Sequence, residues 1–392
     1  MDARDSVIQL IGYRVLSSFG GARPHDHAPL RSRFGWAARV EYYNRLGPMT
    51  LSSEVLTDFA FRLLTAIQVP QAKAELVAKS LVAANLRGVD SHGLQLLPFY
   101  IEIILMGNID IHADGRIVSE NGAALVYDAQ NGIGQWISKI CCDHAIRLGR
   151  AHGLSLVVSR ESNHFGAAAY WAQRMSAAGM IGMVMCNASP LVAPWQGKDQ
   201  RFGTNPICMS VPGSDLWLLD MATTTVALGK ILNAQFHGRA TIPEGWAMDS
   251  EGAPTTDTQS ALSGLLMPLG GYKGSGLAML AEILCAVLSG GAMSTELGGI
   301  RIQGQPMRTS QMFLAIDVAR LLPLDEFEQR MKSLVGIVKS SRAAQGFDEV
   351  LVAGEPEWRV EAQRRRDGIP VSDGAWQNLV QAAGKLGVAV PG

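Results

Sequence analysis

The hydrophobic positions that follow Met49 recur at the spacing of an α-helix. One apolar stripe occupies 56–67, a second follows Pro70, and a third spans 94–104. Polar residues stand directly before the first stripe, where a helix needs an N-cap. The pattern therefore predicts three helices within 50–106.

The rest of the chain alternates short apolar runs with longer stripes, which is typical of an α/β protein. Short apolar runs suit buried strands, and stripes that end at glycine suit helices. Strands are predicted at 123–128, 155–158, 181–186, 216–221 and 312–317. Helices are predicted at 135–150, 167–178 and 277–289, after Pro323, and within 358–386 on either side of a turn at 368–370.

Residues 1–48 differ in composition from the rest. They contain seven arginines and no lysine, and His25 and His27 stand close together between two prolines. Because the helical pattern starts only at Met49, we expect 1–48 to be a poorly ordered extension. Its histidine pair either binds a metal or belongs to a mobile tail.

Composition and charge narrow the class of partner. Hydrophobic residues make up 47% of the chain, enough for a large core. The 34 basic and 35 acidic residues give a net charge of −1, so we expect no nucleic-acid or membrane partner. The five cysteines show no CxxC spacing, which favours buried thiols in a reducing cytoplasm. No apolar run is long enough to span a bilayer.

Three segments join a polar side chain to a glycine or proline that bends the backbone. They are Asp90-Ser91-His92-Gly93, Ser162-Asn163-His164-Phe165-Gly166 and Gly203-Thr204-Asn205-Pro206. Histidine is the side chain best suited to moving protons near neutral pH. Two of the eight histidines lie in these turns, 72 positions apart, which predicts one pocket built from distant loops.

Each candidate also has a purely structural interpretation. His92, near the end of the second predicted helix, either accepts a proton beside Ser91 or only favours the helix dipole. His164 follows a predicted strand, where α/β proteins bind ligands, or it is a loop histidine bonded to backbone. Asp220 accepts from a ribose or an amide, or it caps a helix.

The glycine-rich segment 270–276 stands before the apolar helix predicted at 277–289. It matches neither GxxxxGK[ST] nor GxGxxG, so the ordinary nucleotide-binding fingerprints are absent. Lys273 within it either binds a phosphate or carboxylate at the helix N-terminus or is a solvated lysine in a capping loop.

Taken in order, seven segments resemble the malate/L-lactate dehydrogenase family. This family includes ureidoglycolate dehydrogenase, sulfolactate dehydrogenase, diketogulonate reductase and Δ1-piperideine-2-carboxylate reductase. The resemblance runs from about Met49 to the C-terminus and leaves 1–48 without a counterpart. The segments are Gly88–Gly93, Ser162–Gly166, Gly203–Pro206, Asp220–Thr223, Gly252–Asp257, Lys273–Leu277 and Gly354-Glu355.

The resemblance implies an oxidoreductase that uses NAD or NADP and acts on a small 2-hydroxy or 2-oxo acid, or on a related cyclic imine carboxylate. Its fold is a non-Rossmann α/β arrangement of the sulfolactate-dehydrogenase-like type with a mixed sheet, and its members are usually homodimers. We accordingly expect a helical domain from 49–114 and 325–392, and an α/β cofactor-binding domain from 115–324.

The resemblance also assigns roles to individual residues. His92 is the leading proton donor and acceptor with Ser91 beside it, and His164 stands where some members are assigned the proton acceptor. No metal ligand is implied. The residues implied to line the cofactor are Asn187, Ser189, Thr204, Asn205, Asp220, Met221, Ala222, Lys273, Gly354 and Glu355.

One position departs from the family pattern. Several relatives have an arginine four residues after the histidine of the Ser-His-Gly motif, which suits a substrate carboxylate. Here that position is Leu96, and an apolar residue cannot replace a bidentate donor. Either another cation, such as Lys273 or Arg201, holds the carboxylate, or the substrate is not malate or lactate.

Two other classes of protein compete with a dehydrogenase. A metal-dependent hydrolase would use Asp90, His92 and His164, but the core sequence has no HxH or HExxH from which to complete a metal site. A catalytically silent binding protein is favoured by Leu96 and opposed by the two histidines. We therefore expect hydride transfer.

Overall fold

The computed structural model describes residues 49–213, 217–236, 238–299 and 305–391. The extension expected at 1–48, with His25 and His27, lies outside these described residues. Within them are eleven α-helices: α1 Ser53–Ala66, α2 Gln71–Leu86, α3 Leu97–Leu105, α4 Gly134–His152, α5 Ala168–Ser176, α6 Leu228–Phe236, α7 Thr258–Ser263, α8 Tyr272–Glu282, α9 Leu324–Lys339, α10 Glu355–Asp367 and α11 Asp373–Leu386.

Seven strands of the described chain form a mixed sheet in the order β2-β3-β4-β11-β5-β6-β7. The pair β3 and β4 is parallel, and the other neighbouring pairs are antiparallel. The strands of the described residues are β1 Met49–Leu51, β2 Arg116–Asn121, β3 Ala124–Asp128, β4 Leu154–Ser162, β5 Met180–Cys186, β6 Ile207–Ser210, β7 Leu218–Met221, β8 Ala247–Met248, β9 Pro254–Thr255, β10 Leu265–Leu266, β11 Thr309–Asp317 and β12 Ile369–Val371.

Helices cover both faces of the large sheet. Val157 and Phe313 point to the face that packs against α4 and α5, whereas their neighbours Val158 and Met312 point to the face that packs against α8. Because both faces are buried, the central strands are apolar at successive positions rather than at alternate ones. This explains why they stand out in the sequence as continuous apolar runs.

A second core is formed by α1, α2, α3 and α11. Phe59 is buried there against Trp376, with ring centroids 5.8 Å apart. The strands β1 and β12 pair antiparallel and join the start of this region to its end. Leu96 belongs to the same core and is only 5% exposed, so its side chain packs against apolar neighbours instead of facing a ligand.

Most of the predicted elements are confirmed, but two details of the prediction are wrong. The turn expected at 368–370 ends at Gly368, because the next residues pair with β1 as β12. The glycine-rich segment does not precede a helix: α8 already begins at Tyr272. Gly274 permits this start, since a Cβ there would lie 2.3 Å from the backbone nitrogen of Leu269.

The prediction that the thiols are buried is confirmed, since all five cysteines are buried and free. Burial raises the pKa of the thiols, as at Cys141 and Cys186, so they are poor nucleophiles at neutral pH. In the part of the chain that the structure describes, no helix has the length and apolar character needed to cross a membrane.

Candidate active site

The first arm of the site is a single 3-10 turn, Asp90–His92, that follows α2. Arg364 of α10 binds the Asp90 carboxylate through both of its terminal nitrogens, at 2.7 and 3.0 Å. The Asn85 amide donates to Asp90 Oδ1 at 2.5 Å and accepts from the Leu94 N–H at 2.8 Å. The turn that carries the histidine is therefore held by charged hydrogen bonds on one side and an amide on the other.

His92 has the properties of a proton acceptor. Ser91 Oγ lies 3.0 Å from its Nδ1, and this contact orients the ring. The imidazole is half-buried, and burial lowers the pKa of His92 because the charged form loses hydration. The ring is therefore largely neutral at neutral pH, as a general base must be.

The second arm is the turn after β4, which ends two residues before His164. The Asn163 amide donates to the backbone oxygen of Gly132 at 2.9 Å. The indole Nε1 of Trp171, on α5, donates to the backbone oxygen of Phe165 at 2.8 Å. Because Trp171 is fully buried, α5 fixes this turn to the core of the sheet.

The two arms bring the histidine rings together. His92 and His164 stack with ring centroids 5.7 Å apart and planes inclined by 22°. This arrangement confirms that the two distant turns contribute to one place in the fold. Two imidazoles at this separation can contact the same small molecule, one as acceptor and the other as donor.

Hydrogen bonds define the protonation of His164. The Gly166 N–H donates to Nδ1 at 3.3 Å, and the Tyr100 hydroxyl lies 2.5 Å from the same atom. A backbone N–H can only donate, so this contact assigns Nδ1 as the accepting nitrogen. Neutral His164 therefore carries its proton on Nε2, which makes it a hydrogen-bond donor from that atom.

Tyr100 is a site residue that the sequence interpretation missed, since it was counted only as part of the apolar stripe at 94–104. It is almost fully buried, and burial raises the pKa of its phenol. The phenol therefore stays protonated and donates to His164. The sequence did contain a signal: a tyrosine in a buried stripe has a hydroxyl that usually needs a hydrogen-bond partner.

Asp220 stands near the end of β7, beside the second arm. Its Oδ2 accepts the backbone N–H of Ala169, in the first turn of α5, at 3.0 Å, so it caps a helix from a neighbouring strand. Asp220 is exposed as a residue, although many protein atoms surround its carboxyl. Burial by the surrounding protein raises the pKa of Asp220 to about 6, against the lowering effects of the Ala169 N–H and of Arg87. The two interpretations of Asp220 are compatible, since its second oxygen can still accept from a ligand.

Asn187 and Asn205, which the resemblance implied would line the cofactor, are not at a surface where a ligand could touch their side chains. Both are fully buried, and their amide nitrogens donate to the carboxylate of Glu282 at 3.1 Å. Burial raises the pKa of Glu282, and these amide donors oppose the shift. Nearby, Ser189 Oγ donates to the backbone oxygen of Gly298 at 2.5 Å. The polar groups of these side chains hold loops together, so any contact with a ligand here comes from the loops they position.

The remaining residues implied for the cofactor fall on neighbouring segments. Thr204 accepts the Thr223 N–H through its backbone oxygen at 2.9 Å, which joins its loop to the segment that follows Met221 and Ala222. Lys273 is exposed in the first turn of α8. Gly354 precedes α10 with φ of 91°, and Glu355 pairs with Lys339 and Arg359.

Arg201, which was considered as a cation for the substrate carboxylate, is exposed and pairs with Asp199 at 3.0 Å. In the described ranges no three His, Cys, Asp or Glu side chains form a possible metal site.

Comparison with known proteins gives the same family over nearly the whole described chain. The family model described as malate/L-lactate dehydrogenase matches residues 51–380. A malate dehydrogenase from Pyrococcus horikoshii is 36% identical over 85% of this chain and 94% of its own length. The solved sulfolactate dehydrogenase from Methanocaldococcus jannaschii is 35% identical with a TM-score of 0.81, covering 87% of this chain and 98% of that one.

A solved Δ1-piperideine-2-carboxylate reductase from Pseudomonas syringae is also similar, with 27% identity and a TM-score of 0.75 over 86% of this chain and 100% of its own. The chain belongs to the malate/L-lactate dehydrogenase family.

Proposed function

We propose that this protein is an NAD(P)-dependent dehydrogenase that interconverts a 2-hydroxy acid and its 2-oxo acid. The observation that carries the proposal is the stacked pair His92 and His164 in a chain of this family. A cyclic imine carboxylate is the second candidate substrate, favoured by the similarity to the piperideine-carboxylate reductase.

In the direction of oxidation, neutral His92 accepts the hydroxyl proton of the substrate. Its Nδ1 faces Ser91 Oγ, so Nε2 is the accepting atom. His164 donates from Nε2 to the same substrate oxygen, because Nδ1 already accepts from Gly166 and Tyr100. A bound nicotinamide cofactor would supply the acceptor for the hydride that leaves C2. In reduction the His92 imidazolium returns the proton.

The residues present fit a dinucleotide. The N-terminus of α8 carries positive dipole charge and the exposed Lys273, a combination that suits a phosphate. A cavity of about 390 Å³ lined by Trp195, Lys198 and Met267 among others lies beside this terminus, where the Ser275 hydroxyl accepts the N–H of Trp195. Asp220, near the histidines, offers an oxygen to an amide or a ribose hydroxyl. Both NAD and NADP carry the phosphates, amide and ribose hydroxyls that these groups could bind.

The pH profile of oxidation is expected to have an acidic limb below pH 6.5. Burial lowers the pKa of His92 from that value, and the base works only when neutral, so kcat/KM falls as pH drops through the lowered pKa. Asp220, with a pKa near 6, titrates in the same range. The limb should persist in Asp220→Asn and vanish in His92→Ala. An acidic limb centred above pH 7 would contradict the assignment.

Tyr100→Phe is expected to lower kcat by about 3- to 10-fold, the value of one neutral hydrogen bond, with little change in cofactor affinity. The variant removes a donor to His164 Nδ1 and loosens the ring. Tyr127→Phe is the matched control, since that hydroxyl, on β3, donates to the Asp114 backbone oxygen at 2.6 Å and not to His92 or His164. Nitrogen NMR of labelled histidine should show His164 protonated at Nε2 in the parent protein. A proton on Nδ1 would refute the assigned roles.

The function is tested by titrating the purified protein with NADH and NADPH while monitoring fluorescence, followed by a panel of 2-oxo acids and Δ1-piperideine-2-carboxylate. We expect saturable binding of at least one dinucleotide and its oxidation by at least one panel member. Binding without turnover across the panel would reject the substrate class, and absence of binding would reject the dehydrogenase itself.

We further propose a cytoplasmic homodimer. The buried reduced thiols support a reducing compartment. Apolar side chains left exposed on α8 and its continuation, such as Met279 and Ile283, support a protein-covered surface. Light scattering during gel filtration should give twice the mass of the 42.0 kDa chain, and a monomer mass at micromolar concentration would reject the dimer.

A further inference from the structure

A buried arginine with unmet hydrogen-bond donors lies where α2 leads into the Ser91-His92 turn. Arg87 is the C-cap residue of α2 and is only 7% exposed. In the part of the chain that the structure describes, neither its Nε nor its Nη1 has a hydrogen-bond partner. A guanidinium keeps its charge in a protein, and buried charges are normally paired. Such a group points to a partner that is not part of this chain.

The surroundings of Arg87 belong to the candidate active site. Its charge opposes the effect of burial on the pKa of both Asp220 and Cys208, so the guanidinium lies close to the sheet edge formed by β6 and β7. Its unmet Nε and Nη1 do not reach the Asp220 carboxylate. That carboxylate is in turn bonded to Ala169, five residues after His164. Arg87 therefore stands four residues before Ser91 in the chain and close to the carboxylate that caps α5, and its Nε and Nη1 make no hydrogen bond to that carboxylate.

The other cations considered for an anionic group have other roles: Lys273, in the first turn of α8, is assigned above to a cofactor phosphate. Arg364 is committed to Asp90 through two hydrogen bonds, and Arg201 is exposed and bonded to Asp199. Leu96 lies in the helical core. A 2-hydroxy acid nevertheless carries a carboxylate on the carbon next to the reacting one, and that charge needs a donor.

We propose that Arg87 binds the C1 carboxylate of the substrate. The inference rests on the proposed function, because it presupposes a 2-hydroxy or 2-oxo acid at the histidine pair. The paired N–H groups of a guanidinium match the two oxygens of a carboxylate, which a lysine ammonium does not do. Bound in this way, the acid is oriented with C2 toward the histidines, and Arg87 sets the preference for carboxylates over neutral analogues.

The first test compares Arg87→Met and Arg87→Lys with the parent protein, using the best 2-oxo acid of the panel and its methyl ester. Arg87→Met should lower kcat/KM for the acid by about 10²-fold, as expected for loss of a charged hydrogen bond. The ester should be nearly unaffected, and NADH affinity should be unchanged. Arg87→Lys should recover only part of the loss. Arg150→Met, which removes an arginine that pairs with Asp317 at 2.9 Å, is the control for general damage.

A second readout does not depend on turnover. Oxamate, a carboxylate that imitates a 2-oxo acid, should raise the thermal midpoint of the NADH-bound parent protein but not that of Arg87→Met. If no panel acid reacts, the proposed function fails, and oxamate protection still decides the role of Arg87. Equal oxamate protection in both proteins, or a loss confined to NADH affinity, would overturn the inference, since the guanidinium would then serve another group.

Discussion

Replacing His92 with alanine is expected to lower kcat by about 10²- to 10⁴-fold, the usual contribution of a positioned acid or base. The substrate hydroxyl then has no acceptor, since the tautomer assigned to neutral His164 from its Gly166 contact carries the proton on Nε2. Cofactor affinity should change little, because the loss concerns proton transfer. Stopped-flow measurement of NADH formation and a fluorescence titration of NADH separate the two effects.

Two variants make this result interpretable. His152→Ala removes a histidine from the last turn of α4, which the whole length of β4 separates from the His164 turn, and should leave kcat intact. Adding imidazole to His92→Ala should restore part of the rate if a proton acceptor was lost. Unchanged turnover in His92→Ala would show that His92 is not the base.

Replacing Trp171 with alanine is expected to reduce the free energy of unfolding by about 3–5 kcal/mol, the typical cost of a large buried aromatic side chain. Trp171 is fully buried on α5 between the sheet and α4. Its indole also donates to the backbone oxygen of Phe165, so the variant frees the turn that carries His164. Guanidinium unfolding monitored by far-UV circular dichroism measures the loss.

Trp171→Phe separates packing from the hydrogen bond. It keeps an aromatic ring but cannot bond Phe165, so most of the stability should remain while kcat falls because the His164 turn is less well fixed. Tyr170→Phe, next to it on α5, is the control for the helix surface. A loss below about 0.5 kcal/mol in Trp171→Ala, the level of an ordinary surface change, would show that α5 does not anchor the turn.

The fold could be predicted well where the hydrophobic pattern reports burial directly. The stripe at 56–67 became α1, and the apolar runs at 123–128 and 181–186 became β3 and β5, because strands covered on both faces are apolar throughout. The pairing of 369–371 with 49–51 was missed. Three-residue strands joined over such a sequence distance leave no periodic signal, and Pro370 suggested a turn.

The turns that carry the two histidines could be predicted from the sequence, but the buried polar residues around them could not. The histidines were recognisable because glycine accompanies them, and the structure stacks their rings. Tyr100 and Arg87 stood among helical residues, where only the fold shows a buried polar tip and an unmet guanidinium. Asn187 and Asn205 were assigned by resemblance to the cofactor, yet their amides bond Glu282, a contact that depends on loops distant in sequence.

Direct hydride transfer between C2 of a hydroxy acid and a nicotinamide, with His92 moving the proton, can be followed with an isotope. The experiment supplies the active hydroxy acid deuterated at C2, with unlabelled oxidised cofactor in ordinary water, and measures deuterium in the reduced cofactor by mass spectrometry. We expect one deuterium at C4 of the nicotinamide ring and a slower turnover with the labelled acid. Reduced cofactor that contains no deuterium would show that the hydride does not come from C2.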